Sequence, residues 1–255
     1  MGRHFVRALV VAPHPDDEVL GAGIWMTRHA GSEIYIAHLT DGSPYDLGDA
    51  HAAGLSTREE YATARRAEFL DACKLLPVPR AHCLQFPFVD QELWRNLPDL
   101  VRELERLLAM LKPDLVLSPA YEGGHPDHDS AAFAVSLASR AGAAFESWEF
   151  PLYRAGQGGE MIAGRFLEGV DCPAGEVISF TPEERELKKK MVESFPTQLA
   201  FLRKFPLDEE SFRLMPAYDF TRPPHPGSLL YEQWGWGITG EAWRQRAKAA
   251  EFAPI

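Results

Sequence analysis

Two tetrapeptides, each predicted to lie between a strand and a helix, constrain this sequence more than any other feature. They are His14-Pro15-Asp16-Asp17 and His125-Pro126-Asp127-His128. The first follows Leu9–Ala12, a short and continuously apolar run typical of a strand buried on both faces of a parallel sheet. The second opens a helix-like segment whose proline is tolerated in the first helical turn. The chain is therefore expected to present histidines and carboxylates at the carboxyl ends of buried strands.

Strand-like and helix-like segments alternate through the first two thirds of the chain. The predicted strands are Leu9–Ala12, Glu33–Leu39, Ala81–Phe88, Asp114–Ser118 and Ala144–Tyr153, the last being one strand or a pair of strands. The predicted helices are Glu18–Ala30, 56–76 (with either Ser56/Glu59 or Thr57/Glu60 as its capping box), Pro98–Leu111 and His125–Ser139. This alternation predicts an α/β fold, a Rossmann-like three-layer sandwich whose mostly parallel sheet has helices on both faces.

The regular alternation of strands and helices ends at about residue 155. The segments predicted after it are a turn (156–159), a strand (Glu176–Phe180), a helix capped by Thr181 and a proline-rich loop (221–227). No linker rich in glycine or serine divides the chain, and no internal repeat is present. We therefore expect one domain over residues 1–255, with a core of about 5–155 and a C-terminal extension or lid of about 156–255.

Composition excludes several classes of protein. The net charge of −11 argues against nucleic acid or an anionic membrane as the main partner, because both require a basic surface. The cysteines, Cys73, Cys83 and Cys172, form no CxxC pair, so a disulfide framework is not expected. No run approaches the ~20 apolar residues of a membrane span. A soluble cytoplasmic protein is expected; the composition favours no particular partner, and a homo-oligomer stays open.

The spacing within the two motifs predicts a metal site. Ligands of open parallel sheets bind beyond the carboxyl ends of the strands, where the strand order reverses. Because positions i and i+3 share one side of a helical turn, His14 and Asp17 can converge on one ion while Asp16 stays free. His128 adds a third ligand. Two imidazoles and one carboxylate suit a catalytic zinc, and the same set also admits iron(II).

A structural explanation of the same residues has to be weighed beside this one. Carboxylates at a helix N-terminus contribute ~0.3–1 kcal/mol by themselves, and His125 and His128 can simply begin a helix. For one motif the two explanations are about equal. For both motifs at matching strand ends the metal site is favoured, because packing gains nothing from that placement.

The residues Ala12–Glu18 together with His125–His128 strongly resemble the LmbE/PIG-L family of zinc-dependent N-acetylglucosaminyl deacetylases. The resemblance covers roughly residues 5 to 200. Three weaker features also fit the family: the turn Thr40-Asp41-Gly42, the helical stretch Arg65–Glu68 and the segment Ser194–Gln198.

The resemblance implies roles for individual residues. One zinc ion per chain, or iron(II) or another divalent ion in its place, would be held by His14, Asp17 and His128. Asp16 would be the general base, and His125 an acid or an electrostatic partner of the oxyanion. Asp127 would lie behind a histidine and fix its tautomer and charge.

Two further residues are candidates for substrate binding. Arg65 matches a family position that contacts polar groups of the substrate, but an arginine midway along a helix is more often solvated or salt-bridged. Asp90, after the third predicted strand, is suited to a sugar hydroxyl, but a loop carboxylate is usually just solvated. Thiol-sugar members of the family carry a tyrosine two residues before the first histidine of the second motif. Gly123 occupies that position here and Tyr121 is only nearby, so a thiol-sugar substrate is less secure and oxyanion assistance rests on His125.

The leading hypothesis is a hydrolase that removes an acyl group, most simply acetyl, from the amino group of a sugar or sugar conjugate. The alternatives are an amidase acting on thiol-sugar conjugates or a related small-molecule amide, a metal-dependent esterase, and a non-catalytic sugar-binding protein. The aromatic C-terminal part, including His225, Tyr231, Trp234 and Trp236, is expected either to form a lid over sugar rings or to pack on the sheet.

Overall fold

The computed structural model describes residues 5–142, 144–167 and 173–251, and Cys172 lies outside these ranges. The strands are β1 (Arg7–Ala12), β2 (Glu33–Thr40), β3 (Cys83–Phe88), β4 (Leu115–Pro119), β5 (Glu146–Phe150), β6 (Tyr153–Ala155), β7 (Met161–Ala163), β8 (Glu176–Ser179) and β9 (Glu209–Leu214). The α-helices are α1 (Asp17–Arg28), α2 (Gly48–Ala52), α3 (Arg58–Ala72), α4 (Leu97–Leu111), α5 (Pro126–Arg140), α6 (Pro182–Glu193), α7 (Leu199–Leu202), α8 (Leu230–Gln233) and α9 (Gly240–Glu251).

Seven of these strands form one sheet in the order β3-β2-β1-β4-β5-β9-β8. The first five are parallel, and β9 and β8 continue the sheet in antiparallel pairing. The predicted mostly parallel α/β sheet is therefore confirmed. The sheet also draws β8 and β9 from beyond residue 155, and β9 is a strand that was not predicted from the sequence.

Alternate residues of β1 point to opposite faces of the sheet, and each face carries its own apolar core. Ala8 and Val10 pack with apolar residues of α1, α3 and α6. Leu9 and Val11 pack with apolar residues of α4, α5 and α9. All four side chains are fully buried, and the removal of this apolar surface from water on both faces is the main force that holds the three layers together.

The strand order reverses between β1 and β4, which lie side by side. Ala8 pairs with Leu115, and Val10 pairs with Leu117. The chain continues from β1 to β2 on one side of this pair and from β4 to β5 on the other. A crevice opens at such a point beyond the carboxyl ends of the strands, and the loops that follow these two strands lead into the two histidine motifs.

The helices begin and end where local chemistry requires. Of the two alternatives for the start of α3, the structure uses Thr57, whose hydroxyl accepts from the backbone of Glu60 in a capping box. The helix ends at Ala72, ahead of Pro77, and continues as a short 3₁₀ turn (Cys73–Leu75). The longest described helices have 15 residues, and none in the described ranges is both long and apolar enough to cross a membrane.

Candidate metal and catalytic site

A cavity of about 420 Å³ lies at the carboxyl ends of β1 and β4, and we call it the reaction pocket. Every predicted site residue except Asp127 lines it. The lining side chains are His14, Asp16, Asp17, Leu20, Asp49, Arg65, Asp90, Gln91, His125, His128, Tyr153, Gln198, Phe201, Leu202, Lys204, Trp234 and Trp236. A concave site with a few converging polar groups is the usual form of a small-molecule site.

The structure places the three predicted metal ligands next to one another. Asp17 Oδ2 lies 3.1 Å from His14 Nδ1, and Asp17 Oδ1 lies 3.3 Å from His128 Nε2. Asp17 therefore contacts one histidine from each motif, with one carboxylate oxygen for each. Burial by itself raises the pKa of Asp17, but the charges of His128 and His14 outweigh it and hold that pKa well below its usual value.

The donor atoms around His14 suit a divalent cation. Two sets of ligand atoms within the described residues lie within 4.8 Å of one another: His14, His125 and His128 in one, and His14, Asp90, His125 and Asp127 in the other. His128 Nε2 and Asp90 Oδ1 are buried and make no hydrogen bond of normal geometry, although Asp17 Oδ1 lies 3.3 Å from the first and His14 Nε2 lies 3.0 Å from the second. Buried polar atoms of this kind are rare unless an ion or water satisfies them, so the residues present fit a cation. The second set brings Asp90 and Asp127 to the same group of donor atoms, whereas Asp17 is in neither set.

Asp16 takes a strained backbone conformation as the N-cap of α1, with φ of 133° and ψ of −28°. A residue other than glycine keeps such a conformation only where its surroundings enforce it. Its side chain lines the reaction pocket, and Asp16 Oδ2 accepts a hydrogen bond from Arg65 Nη2 at 3.0 Å. Burial raises the pKa of Asp16 well above its usual value, while the charge of Arg65 opposes this rise.

Arg65 is held by three acceptors, two of them backbone carbonyls. Its guanidinium donates to Gly42 O at 3.0 Å and to Pro15 O at 2.7 Å, besides Asp16. Gly42 has φ of +66°, and a Cβ there would lie 2.7 Å from Pro15 Cδ and 3.1 Å from Arg65 Cζ. The turn after β2 therefore needs glycine, and Arg65, which lines the reaction pocket, holds Asp16 and this turn.

Glu18 also stabilises the backbone of the first motif. Glu18 Oε2 accepts from the backbone N–H of Asp16 at 3.1 Å and lies 2.9 Å from His38 Nε2. Both Glu18 and His38 are fully buried. His38 thus helps to fix the motif backbone through Glu18.

His125 is both the N-cap of α5 and a wall of the reaction pocket. Its Nδ1 accepts from the backbone N–H of Asp127 at 3.1 Å, which leaves the ring proton on Nε2, 3.5 Å from Asp90 Oδ1. Burial and the nearby charge of His14 both lower the pKa of His125 well below its usual value. The neutral ring is thereby favoured, with an Nε2–H available as a hydrogen-bond donor.

Asp127 and Asp90 both approach the same nitrogen of His14. Asp127 Oδ2 lies 3.3 Å from His14 Nε2, and Asp90 Oδ1 lies 3.0 Å from it. Asp127 also accepts from the backbone N–H groups of Gln91 and Leu93, at 2.7 and 3.1 Å, so that it ties the loop after β3 to α5. The histidine that Asp127 contacts is therefore His14.

Tyr153 is a residue of the reaction pocket that was not predicted from the sequence. Its ring meets that of His128 edge-on at 5.1 Å between centroids, and Tyr121 instead donates to Arg222 O away from the pocket. A Cβ on Gly124 would lie 1.9 Å from Tyr153 O, so glycine at that position is what lets the two chain segments touch. The only sequence signal for Tyr153 is its place just beyond the strand next to β4.

The C-terminal aromatic residues divide into two groups. Trp234 and Trp236 line the reaction pocket, and the Trp236 ring lies 4.7 Å from that of His125. Tyr231 is fully buried beneath them, and His225 is also buried. Of the two expectations for this segment, packing describes Tyr231 and His225, whereas the two tryptophans form part of the pocket wall.

Comparison with known proteins gives a family match and two curated relatives. Residues 9–139 match PIG-L, described as GlcNAc-PI de-N-acetylase. A diacetylchitobiose deacetylase from Thermococcus kodakarensis is 32% identical over 142 residues, which are 52% of this chain and 50% of that protein. A probable N-acetyl-alpha-D-glucosaminyl L-malate deacetylase 2 from Bacillus subtilis is 31% identical over 137 residues, 50% of this chain and 58% of that protein. The chain thus spans about half the length of these relatives.

The fold recurs in solved structures. A deacetylase–bog complex from the biosynthesis pathway of teicoplanin superposes with a TM-score of 0.63. The match covers 81% of this chain and 96% of that chain at 19% sequence identity. Identity this low establishes a common fold and nothing finer.

Proposed function

The chain belongs to the PIG-L family, and from this we propose that it hydrolyses the N-acyl amide, most simply N-acetyl, of an amino sugar or sugar conjugate. One observation carries the proposal: Asp17 contacts a histidine of each motif, while the adjacent Asp16 is held apart by Arg65. One carboxylate is thus placed with the proposed metal ligands and the other is left to act as a general base, as hydrolysis of this kind requires.

We propose His14, Asp17 and His128 as the residues that hold one divalent cation, with Asp90 close enough to join them. Zinc is the first choice for two imidazoles and a carboxylate, and iron(II) is the alternative. When bound, such a cation supplies Lewis-acid polarisation of the amide carbonyl and lowers the pKa of a bound water.

The side chains of this protein then move the protons. Asp16 accepts the proton of the attacking water, and burial, which raises its pKa, makes it a stronger base than an exposed aspartate. His125 donates from Nε2 to the oxygen of the tetrahedral intermediate. The amine leaves after it receives a proton, from Asp16 acting a second time or from His125.

Two variants and one control test the proposal. The measurements are metal content by mass spectrometry and primary-amine release from a panel of N-acetylated sugars. We expect Asp16→Asn to keep its metal and to lose about 10²–10⁴ in turnover, the usual contribution of a general base. We expect His14→Ala to lose the metal. His51→Ala, at an exposed position of α2, is the matched control and should resemble the wild type.

Other outcomes would overturn the proposal. Full activity in Asp16→Asn or His14→Ala contradicts the assigned roles. Cleavage of simple esters without amine release from any amide would indicate an esterase, and cleavage confined to thiol-sugar amides would narrow the class. Sugar binding without turnover in the metal-loaded protein would indicate a binding protein.

A further inference from the structure

A second cavity, of about 490 Å³, adjoins the reaction pocket, and we call it the outer chamber. Its lining residues are Asp46, Gly48, Asp49, Gln91, Gly235, Trp236 and Gly237. Asp49, Gln91 and Trp236 also line the reaction pocket, so the two spaces meet at these three residues. A ligand whose amide lies among the histidines can therefore extend past Trp236 into the outer chamber.

The walls of the outer chamber suit a polyhydroxylated ring. Trp236 is half-buried between the two cavities and lies in contact with Trp234, with ring centroids 5.1 Å apart. Glycines on both sides of it, Gly235 and Gly237, have φ of +72° and +73° and leave the space beside the ring free of side chains. Carboxylate and amide groups at Asp46, Asp49 and Gln91 supply the hydrogen-bonding partners that hydroxyl groups need.

The charge of the outer chamber has one sign. Asp46 and Asp49 are its ionisable lining residues, and no lysine or arginine is found among the described residues that line it. Asp46 Oδ1 accepts a hydrogen bond from the backbone N–H of Gly48, so Oδ2 is the oxygen that can accept from a ligand. Two basic residues, Arg65 and Lys204, line the reaction pocket instead, and Arg65 is bonded to Asp16.

We propose that the outer chamber binds a neutral polyhydroxylated group, such as a second sugar ring joined to the acylated amino sugar, and disfavours a carboxylate or phosphate at that place. The inference rests on the proposed function, because it takes the amide to lie in the reaction pocket. It makes Asp46 and Asp49 determinants of specificity, since like charges across a binding site penalise the wrong ligand.

The test compares three ligands that share the same N-acetylglucosamine unit. They are N-acetylglucosamine itself, N,N′-diacetylchitobiose, and the β1,4-linked disaccharide whose second ring is glucuronic acid. Dissociation constants are measured by calorimetry on the Asp16→Asn protein, so that turnover does not interfere. We expect the neutral disaccharide to bind about tenfold more tightly than either the monosaccharide or the acidic disaccharide.

The variant Asp46→Asn/Asp49→Asn, built on Asp16→Asn, should bring the two disaccharides to similar affinity. Glu186→Gln, at an exposed position of α6 that lines neither cavity, is the matched control and should leave their ratio unchanged. Raising the ionic strength should bring the dissociation constants of the two disaccharides closer together without any substitution, because salt screens exposed charges. This second measurement decides the matter if the double substitution does not fold.

Several results would overturn the inference: equal affinity for monosaccharide and disaccharide, tight binding of the acidic disaccharide, a ratio insensitive to both salt and substitution, or no binding of either disaccharide. Primary-amine release by the unsubstituted, metal-loaded protein is measured separately. Amine release without a difference in affinity contradicts the inference alone, and a difference in affinity without amine release contradicts the proposed function alone.

Discussion

Arg65 Nη2 donates to Asp16 Oδ2 over 3.0 Å, and both side chains are buried. The same nitrogen donates to Pro15 O, so one guanidinium holds both the carboxylate and the backbone that precedes it. Asp16 has φ of 133°, a conformation that needs external support. Arg65 is therefore best described as a positioning residue for the proposed general base.

Arg65→Met should lower kcat by about 10², the lower end of what a correctly placed general base contributes. KM should change little and metal content should stay at the wild-type level, because Arg65 contacts none of the three predicted ligands. Arg65→Lys should not restore activity, since one ammonium group cannot reach three acceptors in the geometry of a guanidinium. The measurement is steady-state amine release combined with metal analysis.

The neighbouring Arg66→Met is the control for this prediction. Arg66 lies on the same helix and donates to Cys83 O, outside the reaction pocket. If both substitutions reduce kcat equally, or if Arg65→Met also loses the metal, the positioning role is wrong.

Asp127→Ala should weaken metal binding by about 10- to 100-fold, the usual cost of losing a carboxylate that orients a metal-binding histidine. Asp127 contacts His14 Nε2 and also holds the backbone of the loop after β3. Metal affinity is measured by competition with a chelator of known affinity.

Asp129→Ala is a closely matched control, because Asp129 is equally buried and also ties down a loop. Asp129 Oδ1 accepts from the backbone N–H groups of Glu122 and Gly123 at 3.2 and 3.0 Å. Its removal should lower the free energy of unfolding and leave metal affinity unchanged. Equal loss of metal by the two variants would contradict the role of Asp127.

The sheet and the convergence of the two motifs could be predicted because their signals are local. Apolar runs such as Leu9–Ala12 mark buried strands, and the general rule for parallel sheets then places the residues after each strand at one edge. The spacing of His14 and Asp17 also needed only the geometry of a helical turn. These predictions required no knowledge of which distant residues touch.

The contacts that complete the site were beyond such reasoning because they join distant segments. Nothing around Asp90 indicates that it lies 3.0 Å from His14 Nε2, and Tyr153 looks like any strand aromatic. The position of β9 likewise depends on Trp148 and Glu149, which pair with Leu214 and Arg213. Tertiary packing decides such contacts, and residue spacing does not report it.

Lys188→Met should lower the free energy of unfolding by about 3–5 kcal/mol, the range for breaking a buried ion pair at one end. Helix α1 is interrupted at Ala22, with φ of −146°. Lys188 Nζ donates to the carbonyls of Val19 and Leu20 and to Glu210 Oε1, while Glu210 accepts from the backbone N–H groups after the break. The pair therefore satisfies backbone groups that the interrupted helix leaves without partners.

Urea unfolding measures this loss of stability. The control is Lys189→Met, at an exposed position of α6, the helix that carries Lys188. The double variant Lys188→Met/Glu210→Leu should lose less free energy of unfolding than the two single variants lose in total, because it leaves no unpaired buried charge. A loss in Lys188→Met no larger than that in Lys189→Met would contradict the prediction.

Glu122 should make stability decline with rising pH. Burial raises the pKa of Glu122 from 4.5 to about 8, with one oxygen bonded to Leu152 N and the other without a partner. The folded state therefore keeps a proton that the unfolded chain has lost, so the contribution of Glu122 is fully present below pH 4.5 and is lost as pH rises to about 8. The slope is about 1.4 kcal/mol per pH unit. The free energy of unfolding is measured in urea at several pH values. Glu122→Gln should lose this slope, and the exposed Glu186→Gln should keep it. If the free energy of unfolding varies with pH in the same way in the wild type and in Glu122→Gln, Glu122 does not titrate in this range.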